Sequence, residues 1–302
     1  ILFLFRESKM NHTSLKIFMV VAEELSIVKA AKRLGRVQSN ITTRIQQLEQ
    51  ELDVQLFLRD NKKLQLSAEG VTFLSYCRQL LTLADEARQA LHPQQPSGIL
   101  RLGSMESTVA SRLNQPLSDF SRTFPEVHLQ LVTQPTRQLA EAVLTRKLDC
   151  ALVSLPVNSQ QQTECPTGLS FRSLYSEDLL MIYPAGYHPD SQGPLPLAAF
   201  AEGCSYRRIA VQALQSSVAG EQLSDISEVS SYHSMLSSVA GGGYCCLLPK
   251  SVFGLLQSPH QLTIVPAGTA VTQFIWREES ASLAVQNLGD LLAAEAQGHN
   301  IV

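Results

Sequence analysis

The segment Ser26–Ile45, SIVKAAKRLGRVQSNITTRI, has the residue pattern of two short helices joined by a tight turn. Ser26 is of a type that caps helix N-termini, and the apolar residues after it recur at helical spacing as far as Leu34. Gly35 follows the last apolar position, where a helix commonly ends in a left-handed residue. A second helix is predicted to begin near Gln38. The segment therefore predicts a helix-turn-helix.

The second predicted helix is polar on every face except one. Its apolar residues recur at steps of four, three and four, which places them in one stripe: Ile41, Ile45, Leu48 and Leu52. The other faces carry amides, hydroxyls and a guanidinium group, which can bond to base edges when the first turn enters the major groove. We predict DNA contacts from Ser26, Gln38, Ser39, Asn40, Thr42, Thr43, Arg44 and Gln47. The alternative is a helical hairpin inside a larger core.

The flanking sequence favours a complete DNA-binding domain. Residues 14–25, SLKIFMVVAEEL, place apolar side chains at helical spacing and so predict the third helix that closes the core. Residues 54–67, VQLFLRDNKKLQLS, contain two extended runs around a polar turn. This pattern predicts a basic hairpin, or wing, lying on the phosphate backbone. Three basic residues there join the predicted DNA contacts: Arg59, Lys62 and Lys63.

The run of residues 30–70 resembles the N-terminal domain of the LysR-type transcriptional regulators. The resemblance is carried by the paired alanines Ala30-Ala31, Gln38-Ser39, Leu48-Glu49, Leu56-Phe57 with Arg59, and Leu66-Ser67-Ala68-Glu69-Gly70. Asn40 and Thr42 differ from the residues that the family more often has. The resemblance implies a bacterial DNA-binding regulator that senses a small molecule. It also implies a homodimer or homotetramer that reads inverted repeats and has RNA polymerase as a further partner.

Residues 71–91 predict one long helix that Ser67 can cap. Its apolar residues recur in three- and four-residue steps, as in two helices packed along their length. The resemblance implies that this is the dimerisation helix. The predicted seam is Leu74, Cys77, Leu81, Ala84 and Leu91. The alternative is a single amphipathic helix that lies on its own domain. Residues 93–98, PQQPSG, predict a hinge.

From residue 99 onward, predicted strands and helices alternate, which indicates a parallel sheet covered on both faces. Strands are predicted at 99–103, 127–132, 149–154, 179–183, 208–211, 244–248 and 262–265. Helices are predicted at 108–120, 137–144, 231–240, 249–256 and 281–295. This part resembles the two-lobed periplasmic-binding-protein fold of the family's effector domain, with crossovers near 155–162 and 266–274.

The chain is thus predicted to be an α+β multidomain protein. It would comprise an N-terminal extension (1–9), a winged helix-turn-helix domain (10–67), a linker helix with a hinge (68–97) and a two-lobed α/β effector-binding domain (98–302). Lobe I would contain 98–160 and 268–302, and lobe II would contain 161–267.

In such a fold the ligand lies between the lobes, where strands end and helices begin. Predicted effector contacts are Ser104, Met105, Glu106, Ser107, Thr108, Thr136, Ser154, Cys204, Ser205, Tyr206, Arg207 and Ser231. Arg207 would suit a carboxylate and Glu106 an amine. The alternatives are helix caps for the hydroxyl residues and an interlobe salt bridge for Arg207. Residues 203–208, GCSYRR, show a looser resemblance to a subgroup related to a regulator of putrescine utilisation. The effector is expected to be an amine, an amino acid or a carboxylate.

Charge divides unevenly along the chain. Residues 1–97 contain 13 Lys and Arg against 10 Asp and Glu, whereas residues 98–302 contain 11 against 17. Only the first part is therefore expected to bind DNA. Six cysteines without metal-binding spacing indicate a reducing cytoplasm, no metal and no cofactor. No apolar run is long enough for a membrane span. The alternatives to a ligand-sensing regulator are a redox switch using Cys204, Cys245 or Cys246, and a cleft enzyme with Cys204 or Ser104 as nucleophile.

Overall fold

The computed structural model describes residues 10–299 apart from 61–62, 92–95, 159, 161, 190–192, 194, 218–224, 258–260 and 280. The chain forms two compact units that divide between residues 91 and 92. The expected extension 1–9 lies outside the described residues, as do residues 93–95 of the expected hinge and the wing residue Lys62.

The described part of the N-terminal unit combines helices with one β-hairpin. Its elements are α1 (His12–Glu24), α2 (Ile27–Leu34), α3 (Gln38–Leu52), β1 (Phe57–Asp60), β2 (Lys63–Leu66) and α4 (Ala68–Ala90).

The predicted helix-turn-helix is confirmed. The Ser26 side chain accepts a hydrogen bond from the Lys29 amide at 3.3 Å and so caps α2. Gly35 ends α2 with φ of 61°, in the left-handed region that glycine adopts without steric cost. The stripe on α3 packs inward, since Ile41, Ile45 and Leu48 are all buried. Local caps and periodicity therefore suffice to define this part of the fold.

The wing is an antiparallel hairpin in which Phe57 pairs with Leu66. Glu49 connects the wing to α3, the helix on which it lies. Its Oε1 accepts hydrogen bonds from the amides of Leu56 at 2.8 Å and Phe57 at 3.2 Å. A charged acceptor makes these bonds stronger than neutral ones. The wing is thus fixed relative to α3.

The start of α4 is tied to the base of the wing. Ser67 Oγ donates to the Gln55 carbonyl at 2.6 Å and accepts from the Gly70 amide at 2.8 Å. The Ser67 amide donates to the Leu56 carbonyl at 3.0 Å. A Cβ on Gly70 would lie 2.1 Å from that carbonyl oxygen. Only glycine fits there without a backbone shift.

The predicted seam on α4 needs correction. Leu74, Cys77 and Leu81 belong to the core of the N-terminal unit, together with residues of α1 such as Phe18. Burial raises the pKa of the Cys77 thiol to about 12. These side chains pack on their own domain, which was the alternative interpretation, so they do not present a free surface to a second chain. Of the other two, Ala84 is half-buried and Leu91 is 78% exposed.

The second unit has two lobes built on one sheet. Its described elements are β3 (Gly98–Ser104), α5 (Glu106–Arg112), α6 (Asn114–Thr123), β4 (Val127–Thr133), α7 (Thr136–Leu144), β5 (Cys150–Val153), β6 (Leu169–Tyr183), β7 (Leu197–Ala199), α8 (Ser205–Ser217), β8 (Ile226–Glu228), α9 (Tyr232–Ala240), β9 (Cys245–Pro249), α10 (Lys250–Phe253), β10 (Thr263–Arg277) and α11 (Leu283–His299). The described strands follow the order β4-β3-β5-β10-β6-β9-β7-β8. Lobe I contains β3–β5, and α11 packs Leu288 and Leu292 into its core. Lobe II contains β7–β9.

Two long antiparallel strands, β6 and β10, run through both lobes. On β6, Tyr175 packs in lobe I and Leu179 in lobe II. The first crossover therefore lies inside β6, not near 155–162 as predicted, and residues 169–175 belong to lobe I. Polar residues in the middle of β6 had hidden the strand from the hydrophobic pattern. The second crossover falls on β10, where register shifts follow Pro266 and Thr272, within the predicted range 266–274.

Two other sequence predictions were wrong. Residues 208–211 are helical, because they lie inside α8, whose buried Tyr206, Ala210 and Leu214 recur every four residues. A short apolar run does not distinguish strand from helix. The single helix predicted at 108–120 is split into α5 and α6, since Pro116 has no amide to donate to a continuous helix.

A search of the described helices found none that combines the length and the hydrophobicity required to cross a bilayer.

Candidate functional site

The exposed end of α3 is the first candidate site. Gln38, Ser39, Asn40 and Thr43 are exposed, while Thr42, Arg44 and Gln47 are half-buried. Val37 precedes the helix and makes no side-chain capping bond, so backbone N–H groups at this helix start can donate to a phosphate. The Thr42 hydroxyl donates to the Gln38 carbonyl at 3.0 Å. This end of α3 therefore presents donors and acceptors suited to a DNA groove.

The remaining predicted DNA contacts differ in their burial and in the elements that carry them. Ser26 is half-buried and its hydroxyl oxygen caps α2. Lys63 is exposed at the start of β2, and Arg59 lies on β1. Lys62 lies outside the described residues. The base and phosphate roles of all these residues stay predictions.

A cavity of about 710 Å³ lies between the lobes of the second unit, where α5, α7, α8 and α9 begin. Seven predicted effector contacts line it: Met105, Glu106, Ser107, Thr136, Cys204, Ser205 and Tyr206. The other five do not line it: Ser104, Thr108, Ser154, Arg207 and Ser231. Sequence reasoning did not select several residues that do line it, among them Thr133, Phe200 and Glu228.

Of the predicted effector contacts that do not line the cavity, several are hydrogen-bonded or buried elsewhere. Ser104 is fully buried and its hydroxyl donates to the Met105 carbonyl at 3.0 Å. Ser231 caps α9 by accepting from the Ser234 amide at 3.2 Å. Thr108 is buried outside the cavity lining.

Arg207 was expected to meet a carboxylate ligand or to bridge the lobes. It instead donates to Glu228 at 2.6 Å and to the Phe200 carbonyl at 3.1 Å. Both partners belong to lobe II. Arg207 therefore neither bridges the lobes nor is free for a carboxylate ligand, because its guanidinium is already paired with the carboxylate of Glu228.

Direct hydrogen bonds join the lobes at the edge of the cavity. Ser205 Oγ donates to the Ser154 carbonyl at 2.5 Å, and the Arg137 amide donates to the Gly203 carbonyl at 3.3 Å. Gly203 has φ of 95°, and a Cβ there would lie 2.6 Å from Oε1 of Gln138. This glycine therefore permits the close approach of the two lobes.

A second set of contacts joins the lobes behind the cavity. Arg112 on α5 donates to Glu177 at 2.9 Å, and Ser251 on α10 donates to the other oxygen of the same carboxylate at 2.7 Å. Glu177 itself lies on the crossover strand β6 and is buried. The carboxylate thus links side chains from both lobes.

The wall formed by α5 is electrostatically unusual. Burial raises the pKa of the Glu106 carboxyl, and the nearby charge of His233 lowers it by a smaller amount. Burial also raises the pKa of Tyr206 and of Tyr232. The Ser107 hydroxyl lies near both phenols without completing a well-formed hydrogen bond in the described part of the chain. This wall therefore combines one carboxylate with neutral hydroxyls.

The predicted ligand hydroxyl of Thr136 is already occupied. It accepts from the Ser154 amide at 3.2 Å and donates to the sulfur of Met105 at 3.4 Å. Thr136 is buried at the start of α7 and contributes to the cavity lining. Its hydroxyl therefore helps to order the wall.

The cysteines offer little thiolate for redox chemistry. Cys245 and Cys246 are fully buried, and they pack in separate cores on opposite faces of β9. Burial raises the pKa of Cys245 to about 12 and that of Cys246 further. Burial also raises the pKa of Cys204. Since the thiolate is the reactive form, these environments disfavour oxidation.

No group of three or more metal-binding side chains occurs in the part of the chain that the structure describes.

Comparison with known proteins assigns a family model to most of each unit. The family model described as "Bacterial regulatory helix-turn-helix protein, lysR family" matches residues 12–71, and "LysR substrate binding domain" matches residues 93–297. The uncharacterized regulator YusT of Bacillus subtilis is 34% identical over 278 residues, covering 90% of this chain and 91% of YusT. The regulator GltR of the same species is 35% identical over 250 residues, covering 80% of this chain and 81% of GltR.

Solved structures show the same fold. Full-length OxyR from Pseudomonas aeruginosa superposes with a TM-score of 0.68 at 19% identity, covering 95% of each chain. Full-length CbnR, solved with its target DNA, gives a TM-score of 0.66 at 19% identity, covering 95% of this chain and 100% of CbnR. With two family models matched and relatives above 30% identity over most of its length, this chain belongs to the LysR family and is an effector-responsive, DNA-binding transcriptional regulator.

Proposed function

We propose that the protein binds operator DNA as a homodimer or homotetramer, with each N-terminal unit reading one half of an inverted repeat. The observation that carries this proposal is the exposed polar turn at the start of α3, where Gln38, Ser39 and Thr43 face outward. One such helix covers a short half-site, so specificity requires two copies related by symmetry.

Base contacts are assigned to the start and middle of α3, and phosphate contacts to the wing. Arg44 is the side chain best suited to guanine, since a guanidinium can bond to O6 and N7 together. The lysines of the wing suit the sequence-independent phosphate backbone. The proposal therefore separates residues that select sequence from residues that add affinity.

The dimer is proposed to form through the exposed face of α4. Tyr76, Leu80 and Leu83 are 58%, 44% and 51% exposed, and their spacing of four and three residues matches a helix-pairing seam. Exposed apolar residues that continue along one helix face favour contact with another chain. This face replaces the seam first predicted from the sequence.

The effector is proposed to bind in the interlobe cavity and to shift the lobes between open and closed arrangements. Its chemical class is one of amine, amino acid or carboxylate. A ligand that favours one arrangement changes how subunits pack and how the DNA is held, and so alters contact with RNA polymerase. Because its operators are chromosomal, the protein is placed in the cytoplasm. The cavity is proposed to bind its ligand without transforming it.

The proposal is tested by incubating the purified protein with fragments of the source chromosome and sequencing those it retains at moderate ionic strength. We expect enrichment of a few fragments that share an inverted repeat, and loss of this enrichment with Arg44→Ala. Arg122→Ala is the matched control, since Arg122 is exposed in lobe I. Failure to enrich any fragment over bulk competitor, with and without cell extract, would refute the proposal.

A further inference from the structure

The lining of the interlobe cavity contains one carboxylate that is not paired with a cation of that lining; the charge of His233 acts on it from outside. Among the described residues that line it, the charged ones are Glu106 and Glu228, and no Lys, Arg or His is included. Glu228 is bonded to Arg207 at 2.6 Å, so its charge is balanced. Oε2 of Glu106 is buried and has no hydrogen-bond partner in the described part of the chain. The residue is half-buried, and a ligand cation or a proton that compensates its charge would stabilise it.

Two neutral hydroxyls in the lining are also buried. Ser107 and Tyr206 are each 4% exposed, and both line the cavity. Ser107 Oγ lies near the Tyr206 phenol, but neither oxygen completes a well-formed hydrogen bond within the described residues. Most buried polar atoms in folded proteins are hydrogen-bonded. The lining therefore favours a ligand that donates hydrogen bonds.

Aromatic rings complete this end of the cavity. Phe200, Tyr206 and Tyr232 all contribute to the lining, and the rings of Phe200 and Tyr232 meet edge to face with centroids 4.9 Å apart. The face of an aromatic ring attracts a cation through its quadrupole. The rings therefore favour a positively charged ligand, as the carboxylate does.

Three of the four helix starts around the cavity already use N-terminal donors within the protein. On α7, the Arg137 amide already donates to the Gly203 carbonyl. On α8, the amides of Tyr206 and Arg207 interact with the Cys204 sulfur. On α9, the Ser231 hydroxyl accepts a hydrogen bond from the Ser234 amide. Some of the donors that would normally hold a carboxylate at a helix N-terminus are thus engaged within the protein on these three helices.

We propose that the effector carries a positively charged amino group that binds at Glu106. This inference rests on the proposed function of the cavity as the effector site. The ammonium donates to Glu106 Oε2 and to the hydroxyls of Ser107 and Tyr206, and its three N–H donors match these three acceptors. The rest of the cavity accommodates the remainder of the ligand. A bare carboxylate is excluded as the sole charged group, because it would face Glu106 without a cation.

The test uses three five-carbon probes that differ only in their end groups: 1,5-diaminopentane, 5-aminopentanoate and glutarate. Binding to the purified full-length protein is measured by titration calorimetry up to about 10 mM, a range that detects weak binding. We expect both amines to bind and glutarate not to bind. Tighter binding of glutarate than of either amine would overturn the proposal, as would failure of both amines to bind.

The variant Glu106→Gln keeps the shape of the side chain and removes its charge. It is expected to weaken amine binding by at least about tenfold, since hydrogen bonds to a charged group are the stronger kind. Glu141→Gln is the matched control, because Glu141 is exposed on α7 outside the cavity lining. It should leave the affinity within about twofold of the original. Equal amine affinity in the original protein and in Glu106→Gln would overturn the proposal.

DNA binding by the same preparations separates this inference from the proposed function. Glu141→Gln should retain the operator affinity of the original protein in the absence of probe, and thermal unfolding of both variants shows that they are folded. If operator binding is present but amines do not bind, only the ammonium assignment fails. If the original protein selects no operator, the proposed function fails as well.

Discussion

Replacing Gly70 with alanine should selectively destabilise the N-terminal unit. The added methyl carbon would lie 2.1 Å from the Leu56 carbonyl oxygen and 3.0 Å from Cδ2 of Leu66. Because carbon and oxygen normally approach no closer than about 3.3 Å, the start of α4 must move by about 1 Å away from the wing. Such a shift strains the hydrogen bond from the Ser67 amide to the same carbonyl.

The magnitude follows from three contributions. Forcing a methyl group into a packed site costs about 1–3 kcal/mol, and weakening a buried hydrogen bond costs about 1–3 kcal/mol more. Alanine is favoured over glycine in a helix by about 0.5–1 kcal/mol. The expected net loss is about 1–5 kcal/mol in the free energy of unfolding, which corresponds to a fall in Tm of about 4 °C or more for a domain of this size.

Two readouts assign the loss to the correct unit. The only tryptophan of the chain, Trp276, lies on β10, so its fluorescence reports the second unit. Hydrogen exchange in peptides from residues 53–91 reports the first. We expect faster exchange there and an unchanged fluorescence midpoint. Gly243→Ala is the control, since no neighbour lies within 4 Å of its added Cβ. Unchanged exchange in Gly70→Ala would refute the steric reasoning.

Three further effects are expected. Lys63→Ala should weaken binding to all DNA sequences and reduce the slope of affinity against salt by up to about one ion. Arg44→Ala should instead reduce discrimination at one base position by about 1–3 kcal/mol. Titrations of matched operators at several salt concentrations measure both effects. Leu83→Glu should dissociate the oligomer, because it places a charge in the proposed α4 seam, and light scattering measures the mass. Acidification should weaken amine binding, because Glu106, whose pKa is raised by burial, becomes protonated and loses its charge; calorimetry across pH measures this.

Each expectation has an opposing result. Equal loss of sequence discrimination in both DNA-contact variants would contradict the separate roles of wing and helix. An unchanged mass for Leu83→Glu would remove the α4 face from the dimer, with Leu131→Glu as the control on an exposed site of β4. Amine affinity that rises as the pH falls would contradict the role of Glu106. Tyr206 and Tyr232 do not complicate this test, since burial keeps both neutral.

The helix-turn-helix was predictable because its determinants are local. A capping serine at Ser26, a left-handed glycine at Gly35 and a periodic apolar stripe each act within a few residues of chain. The location of the effector cavity was predictable for a related reason: helices that follow parallel strands begin at the same edge of a sheet. Glu106 and Ser107 are at such a helix start.

Periodicity reveals that a helix face is buried but not what buries it. Leu74, Cys77 and Leu81 fit a seam between two chains equally well, and only the fold places them in the core of their own unit. The same limit applies to residues 208–211, where a short apolar run belongs to a helix.

Residue patterns alone predict the DNA-binding motif, the two-unit organisation and the position of the effector cavity along the chain. The pairing of side chains there becomes clear only in the folded protein: Arg207 is paired with Glu228, and Glu106 lines the cavity with Oε2 unpartnered among the described residues. The physical reason is that caps and turns depend on neighbouring residues, whereas charge pairing and burial depend on groups that only the packing of the lobes brings together.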